Sequence, residues 1–317
     1  MNDRPPLKLT DTHCHLDLEA FDKDRQPVIQ RALDAGVSRI IIPALNGESS
    51  HKITSLSISH TNLFAAIGFH PTEAGKWEKN SAIQIKEIWL ELLSRDRKRS
   101  SQIHGPVQGI SLESTDQVTD NQLNNNPTKK IVAIGEIGLD YYWESAAHDL
   151  QKVVLKQQLD LAQEFDLPVI LHSREKNDSE QGDCMDDLLG LLEAWIKSRV
   201  QRRNNQVESA GVLHSFSGSL EAARRAIDLN FMIGVTGSIT HRNANKRREI
   251  IAALPLDKLL IETDAPFQSP TPLRGKRNEP AFIRYIADKI AEIHMTTLER
   301  VADITTDNAA RLFGWGG

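Results

Sequence analysis

Short runs of continuous apolar residues recur along the chain, separated by longer stretches in which apolar positions return every three or four residues. The runs predict strands at Leu7–Asp11, Val37–Ile42, Leu63–Gly68, Ile131–Gly135, Val169–His172, Val212–His214, Phe231–Val235 and Leu259–Ile261. Several are rich in Val and Ile and lack alternation, the pattern of parallel strands buried on both faces. Helical periodicity is clearest in His148–Phe165, where Leu150, Val153, Val154, Leu161 and Phe165 form a stripe and Pro168 stops it before the next strand. Two further helices are predicted near Asp183–Arg199 and Leu220–Asp228.

Eight such units predict an α/β fold of the TIM type, a single (β/α)8 barrel over residues 1–317, with reactive groups gathered where strands end and loops begin. An open, doubly wound sheet is the alternative. Candidate ligands follow strands at both extremes of the sequence, and closure of a barrel would bring those ends together.

Two polar surface extensions, near residues 95–130 and 175–182, do not fit the minimal unit. The first begins with the basic run Arg95–Arg99 and ends in the polar tract Asn121–Pro127. It reads as a helix end followed by a mobile surface loop, the basic run being a solvated helix face rather than a nucleic-acid site. The second, Glu175–Gly182, is acidic and is expected at the rim; Arg199–Gln206 reads as a solvated helix exit.

A formal charge of −5 argues against non-specific coating of duplex DNA, but leaves room for a local basic groove. No stretch approaches the roughly 20 apolar residues that cross a bilayer, so no membrane partner is expected. Only Cys14 and Cys184 are present, which disfavours a disulfide framework and makes a reducing, cytoplasmic setting the expectation.

The chemistry concentrates at strand ends. His13 and His15 stand two residues apart, on the same side of an extended segment, where two imidazoles can converge on one transition metal. Later strands deliver Glu136, with Asp140 in the same run; His172, with Ser173 and Arg174; His214; and Glu262, Thr263 and Asp264. Any one histidine is most simply a packed or surface residue. Together, four histidines and two acids at strand ends are poorly explained by coincidence. A carboxylate such as Glu136 has the lone pairs to bridge two ions. Two ions roughly 4 Å apart would polarise a phosphoryl oxygen and activate water for in-line attack.

These runs resemble the TatD family of metal-dependent deoxyribonucleases, within the amidohydrolase-like TIM barrels. The resemblance rests on Asp11–Asp17, Gly68–Pro71, Gly135–Asp140, Leu171–Arg174, His214–Gly218, Glu262–Pro266, Arg277–Pro280 and Asn308, and so covers nearly the whole chain. It implies that His13, His15, Glu136 and Asp264 hold one divalent ion, and that Glu136, His172 and His214 hold a second, whether Mg, Mn or Zn. It also implies that His70, Arg174, Arg277 and Asn278 lie near the substrate. Asp264, Glu136 and Arg174 are then the catalytic candidates: Asp264 as ligand and orienter or base, Arg174 as a partner for developing negative charge. The implied partner is DNA, as single strands or ends, with 3′-to-5′ action.

Several residues keep two readings. Arg277 can grip phosphate, or Arg277–Pro280 can be a capped turn. Asn308, near the start of the final helix, is expected to tie that helix to the barrel. Trp143 and Phe69 can stack on a base or pack at the barrel mouth. Asp11 and Asp17 can cap a helix, orient a ligand histidine or face solvent, and Glu262 can support the site or the barrel. Competing functions are a hydrolase of a small amide, ester or aminoacyl-tRNA linkage, and a non-catalytic metal-stabilised scaffold. A structural zinc site needs only four ligands, fewer than this chain offers.

Overall fold

The computed structural model describes residues 7–103, 127–203 and 210–315. Eight parallel strands pair in sequence order: β1 (Leu9–Asp11), β2 (Val37–Pro43), β3 (Leu63–Ile67), β4 (Ile131–Asp140), β5 (Val169–Arg174), β6 (Gly211–Leu213), β7 (Phe231–Val235) and β8 (Leu259–Ile261). Around them lie α1 (Arg25–Asp34), α2 (Gly47–Ile58), α3 (Ser81–Ile103), α4 (His148–Phe165), α5 (Asp183–Arg203), α6 (Leu220–Asp228), α7 (Asn245–Ala252), α8 (Ile283–Ile293) and α9 (Leu298–Phe313). Main-chain hydrogen bonds just beyond β1 and β8 join the two ends of the sheet. Thr12 N donates to Ile261 O at 3.2 Å, Asp264 N to His13 O at 2.9 Å, and His15 N to Ala265 O at 2.8 Å. The fold is the expected (β/α)8 barrel.

Strand alternation sorts the apolar side chains into two sets. Ile40 and Ile42 of β2, Leu63, Ala65 and Ile67 of β3, and Val169 and Leu171 of β5 pack with the helices. Ile41, Phe64, Ala66, Ile170, Val212, Met232 and Leu260 form the barrel interior, together with Leu312, Phe313 and Trp315 at the end of α9. Trp315 packs on Phe64 with ring centroids 4.7 Å apart. The end of α9 therefore plugs one end of the barrel. The same alternation continues toward the other end: His172 follows Ile170, His214 follows Val212, and Glu262 and Asp264 follow Leu260 on the interior side. The polar site is the upper storey of the core.

Beside His172 and Glu262, close approaches require glycine at two positions. Gly138 has φ 146°, and a Cβ there would lie 2.0 Å from His172 O. A Cβ on Gly234 would lie 2.5 Å from Glu262 Oε1, so β7 leaves room for that carboxylate.

The structure corrects several details. Strand β4 runs on from Gly135 to Asp140, because its pairing with β5 continues through His172–Arg174 although the apolar run has ended. Leu150 and Val153, assigned to the apolar stripe of α4, are exposed, whereas Gln151 and Gln158 are buried. Their amides are spent on loop backbone. Gln158 accepts from Phe69 N at 2.7 Å and donates to Phe69 O at 3.0 Å, and Gln151 accepts from Asp140 N at 2.7 Å and donates to Asp140 O at 2.9 Å. One helix thus clamps the segments that carry His70 and Asp140.

Asn308 lies in the C-terminal half of α9 rather than near its start, since Thr297 caps that helix by accepting from Arg300 N at 3.2 Å. It does tie α9 to the barrel, donating to Leu256 O at 2.9 Å and Leu259 O at 2.8 Å. In the extension at 175–182, Glu175 turns inward and accepts from Met185 N at 2.7 Å at the start of α5, while residues 176–179 are exposed. The loop expected between Asn121 and Pro127 lies outside the described residues apart from Pro127, as does the helix exit beyond Arg203.

Candidate metal centre

At the open end of the barrel, donor atoms from opposite sides of the ring converge. His13 Nε2 and His15 Nε2 are 3.2 Å apart. Glu136 Oε2 lies 3.3 Å from His13 Nε2 and 3.7 Å from His15 Nε2. Asp264 Oδ1 lies 3.9 Å from His13 Nε2 and 3.7 Å from His15 Nε2. The edge of a tetrahedron with metal–ligand arms of 2.0–2.1 Å is about 3.4 Å, so these separations are those of donors around one ion. All four residues are nearly or wholly buried, and their chemistry mixes neutral nitrogen with anionic oxygen. They fit a divalent transition metal.

Burial, followed by the neighbouring His214, holds His13 well below the usual histidine range, and burial lowers His15 to about 4. Both rings are therefore neutral and able to ligate. Burial would raise Glu136, yet the histidines that face it, His13, His70 and His172, outweigh it and keep this carboxyl well below its ordinary value. Burial pushes Asp264 up to about 6.

The second expected set, Glu136, His172 and His214, is not gathered in the same way. His172 Nδ1 lies 2.8 Å from Glu136 Oε1, and its Nε2 lies 2.9 Å from Asp140 Oδ2. Burial opposes charge on this ring, but the two carboxylates prevail and push it up to about 9. His214 stacks on His13 with ring centroids 3.4 Å apart, while Glu262 Oε1 lies 2.9 Å from its Nδ1. Burial again opposes, and Glu262 pushes His214 up to about 10. Among the described residues, groups close enough to share an ion include His13, His15 and Asp264; His13, Glu136 and His214; and His70, Glu136 and His172.

His70 sits beside the cluster, its Nε2 3.6 Å from Glu136 Oε1. Its Nδ1 accepts from Thr72 N at 3.2 Å, which leaves the ring proton of the neutral form on Nε2, facing the site. Arg174 lies two residues beyond His172 on the same side of β5. Its Nε donates to Asp178 Oδ1 at 2.8 Å, and its guanidinium lies 3.7 Å over the Tyr142 ring.

The other two expected substrate contacts are engaged elsewhere. Arg277 places both Nη atoms 2.7 Å from the two oxygens of Asp24, which spends its fork on a surface ion pair. Asn278 is fully buried and donates to Thr263 O at 2.8 Å and Phe267 O at 2.7 Å, so it braces the loop after β8. Phe69 is buried with its ring edge-on to Trp77 at 4.9 Å, a packing role, whereas Trp143 remains exposed.

Supporting residues that sequence alone left open or missed now have partners. Buried Asp11 accepts from Thr263 N at 2.9 Å and Thr263 Oγ1 at 2.6 Å, fixing the end of β1 to that of β8; burial pushes it up to about 7. Gln268 donates from Nε2 to Asp264 Oδ2 and Ser215 Oγ, both at 2.7 Å. Asp140 and Glu262 orient His172 and His214. The available signal for Asp140 and Glu262 was their spacing within strand ends, and for Gln268 its position four residues after Asp264.

A closed parallel barrel with buried imidazoles and carboxylates at one mouth defines a metal-dependent hydrolase. The family model described as TatD related DNase matches residues 10–314, and the chain belongs to that family. It is similar to YabD of Bacillus subtilis (strain 168), named an uncharacterized metal-dependent hydrolase, with 34% identity over 305 residues, 96% of this chain and 98% of that protein. It is also 28% identical over 310 residues, 96% of this chain and 98% of that protein, to a Pantoea ananatis (strain LMG 20103) protein named 3′-5′ ssDNA/RNA exonuclease TatD. The crystal structure of the TatD homolog YJJV from Escherichia coli K12 superposes with a TM-score of 0.75 and 32% identity, covering 98% of this chain and 99% of that one.

Proposed function

We propose that this chain is a metal-dependent DNase that removes nucleotides from the 3′ end of single-stranded or damaged DNA. The carrying observation is the convergence of Glu136 and Asp264 on the His13–His15 pair, at 3.3–3.9 Å from those two rings, in a buried, mixed nitrogen/oxygen set. The naming of the Pantoea ananatis relative as a 3′-5′ exonuclease supports the polarity. The span of the family match supports one catalytic domain, and two buried free cysteines support a reducing, cytoplasmic setting.

The reading takes two divalent ions, of Mg, Mn or Zn. Those four residues would hold the first. His172 and His214 are surplus to a four-coordinate site, and with Glu136 they are the donors for a second. That second set is not pre-assembled, so no step is routed through it. Bound at the first position, a divalent ion supplies Lewis acidity toward a phosphoryl oxygen and lowers the pKa of a water nucleophile.

The chain's own residues do the rest. Gln268 fixes Asp264 through Oδ2, leaving Oδ1 toward the cluster, so this carboxylate is placed to ligate and to orient or deprotonate the attacking water. His70 offers an Nε2 proton to an oxygen of the substrate or of Glu136. Arg174, steadied over Tyr142 and by Asp178, offsets charge that develops on the phosphoryl oxygens.

An oligonucleotide labelled at either end tests this reading. The chain is expected to shorten a 5′-labelled strand stepwise and to release the 3′ label as a mononucleotide. Hydrolysis of small esters, amides or aminoacyl-tRNA with DNA left intact would overturn it.

A further inference from the structure

Two large aromatic side chains stand exposed at the barrel mouth. Trp143 and Phe267 are each 53% exposed, although large apolar rings are normally buried. Neither sits on a loose loop. Asp140 Oδ1 accepts from Tyr142 N at 2.9 Å and Trp143 N at 2.7 Å, while Asp140 Oδ2 holds His172. Phe267 N donates to Asp264 O at 2.8 Å, and Phe267 O accepts from the buried amide of Asn278 at 2.7 Å. Each ring is thus presented by a turn anchored on an acid at or beside the donor cluster. The Phe267 ring stands 6.1 Å from that of His15 and steeply inclined to it, and the Arg174 guanidinium lies 5.6 Å over Trp143.

Topology places the rings on opposite sides. Trp143 follows β4 and Phe267 follows β8, and in a ring of eight strands paired in sequence order these two are diametrically opposed. The donor cluster lies between them. Flat, sequence-tolerant stacking on exposed aromatics is how proteins take up unpaired bases. A paired, stacked duplex interior offers no free base face to either ring.

We propose that Trp143 and Phe267 are paired stacking platforms for the bases on either side of the scissile phosphate, so that the mouth selects unpaired nucleotides. This rests on the phosphodiester reading of the cluster and assigns its substrate specificity to two residues outside it. Asp140 and Asn278 are positioning residues for the platforms.

The test uses the metal-loaded full chain and two fluorescein-labelled phosphorothioate strands of equal length, one oligothymidylate and one with abasic spacers, titrated by fluorescence anisotropy. Wild type is expected to bind the base-bearing strand about tenfold or more tightly than the abasic one. Trp143→Ala and Phe267→Ala are each expected to cut that ratio about fivefold or more, and Trp143→Phe and Phe267→Tyr to restore it. A wild-type ratio near one, or a ratio the alanine variants leave unchanged, overturns the proposal. Cleavage of unmodified strands is scored separately. Cleavage without base preference removes the platforms and keeps the nuclease; base preference without cleavage keeps the platforms and removes the nuclease.

Discussion

Asp140 Oδ2 lies 2.9 Å from Nε2 of His172, whose Nδ1 faces Glu136 Oε1 at 2.8 Å. Both ring nitrogens of one candidate ligand therefore face carboxylates, and the ring is held as an imidazolium. A cation can replace that proton, since each is a positive charge offered to the same acids.

Metal loading should then expel protons. His172 is pushed up to about 9 and His214 to about 10 against burial, so both are protonated at pH 7 before loading. Ligation needs neutral imidazole. Calorimetric titration in buffers of different ionisation enthalpy is expected to show net proton release at pH 7, with affinity rising between pH 6 and 9. The metal-free protein should behave oppositely. Both histidines have folded-state values above the unfolded one of about 6.5, so the stability they contribute is full below about 6.5 and lost as pH rises through about 9 and 10. Thermal melts across that range check the sign.

The two candidate ion positions should differ in strength. His13, His15, Glu136 and Asp264 are already at ligand spacing, whereas His172 must first leave a carboxylate. Titration of stripped protein with zinc or manganese is expected to give one tight equivalent followed by a weaker one. A single phase of one ion per chain would remove the second position.

Replacing Gly234 by alanine should damage the site more than the fold. The new Cβ would fall 2.5 Å from Glu262 Oε1, the oxygen facing His214 Nδ1 and accepting from Ser215 N. Activity is expected to drop at least tenfold, with a melting temperature only a few degrees lower. Unchanged turnover would show that Glu262 does not position His214.

Asn308→Ala should do the reverse. It removes both hydrogen bonds to Leu256 O and Leu259 O from a fully buried amide, at a cost of about 2 kcal/mol. Urea unfolding is expected to show that loss, with cleavage rates at 25 °C close to wild type.

The barrel was legible because its buried strands are continuous apolar runs, and the donor cluster because each donor ends or follows such a run. Burial of polar residues was not legible. Gln151 and Gln158 fall outside the apolar stripe predicted for their helix, yet they are buried and clamp backbone; Asn278 read as a substrate contact, yet it is buried under the loop it braces. Side-chain type gives hydrogen-bonding capacity, and only the fold says whether the partner is water, backbone or ligand. Arg277 shows the same limit, since nothing near it in sequence announces Asp24 as its partner. Phe267, three residues after Asp264, carried a positional signal that pattern reading passed over.

The most direct measurement is cleavage of an end-labelled single-stranded oligonucleotide by wild type, His172→Ala and Asp264→Ala, each stripped with chelator and then reloaded with divalent metal. Wild-type turnover should vanish on chelation and return on reloading, while both variants stay inactive at every metal concentration. Wild-type turnover that survives chelation, or activity retained in both variants, would contradict the site.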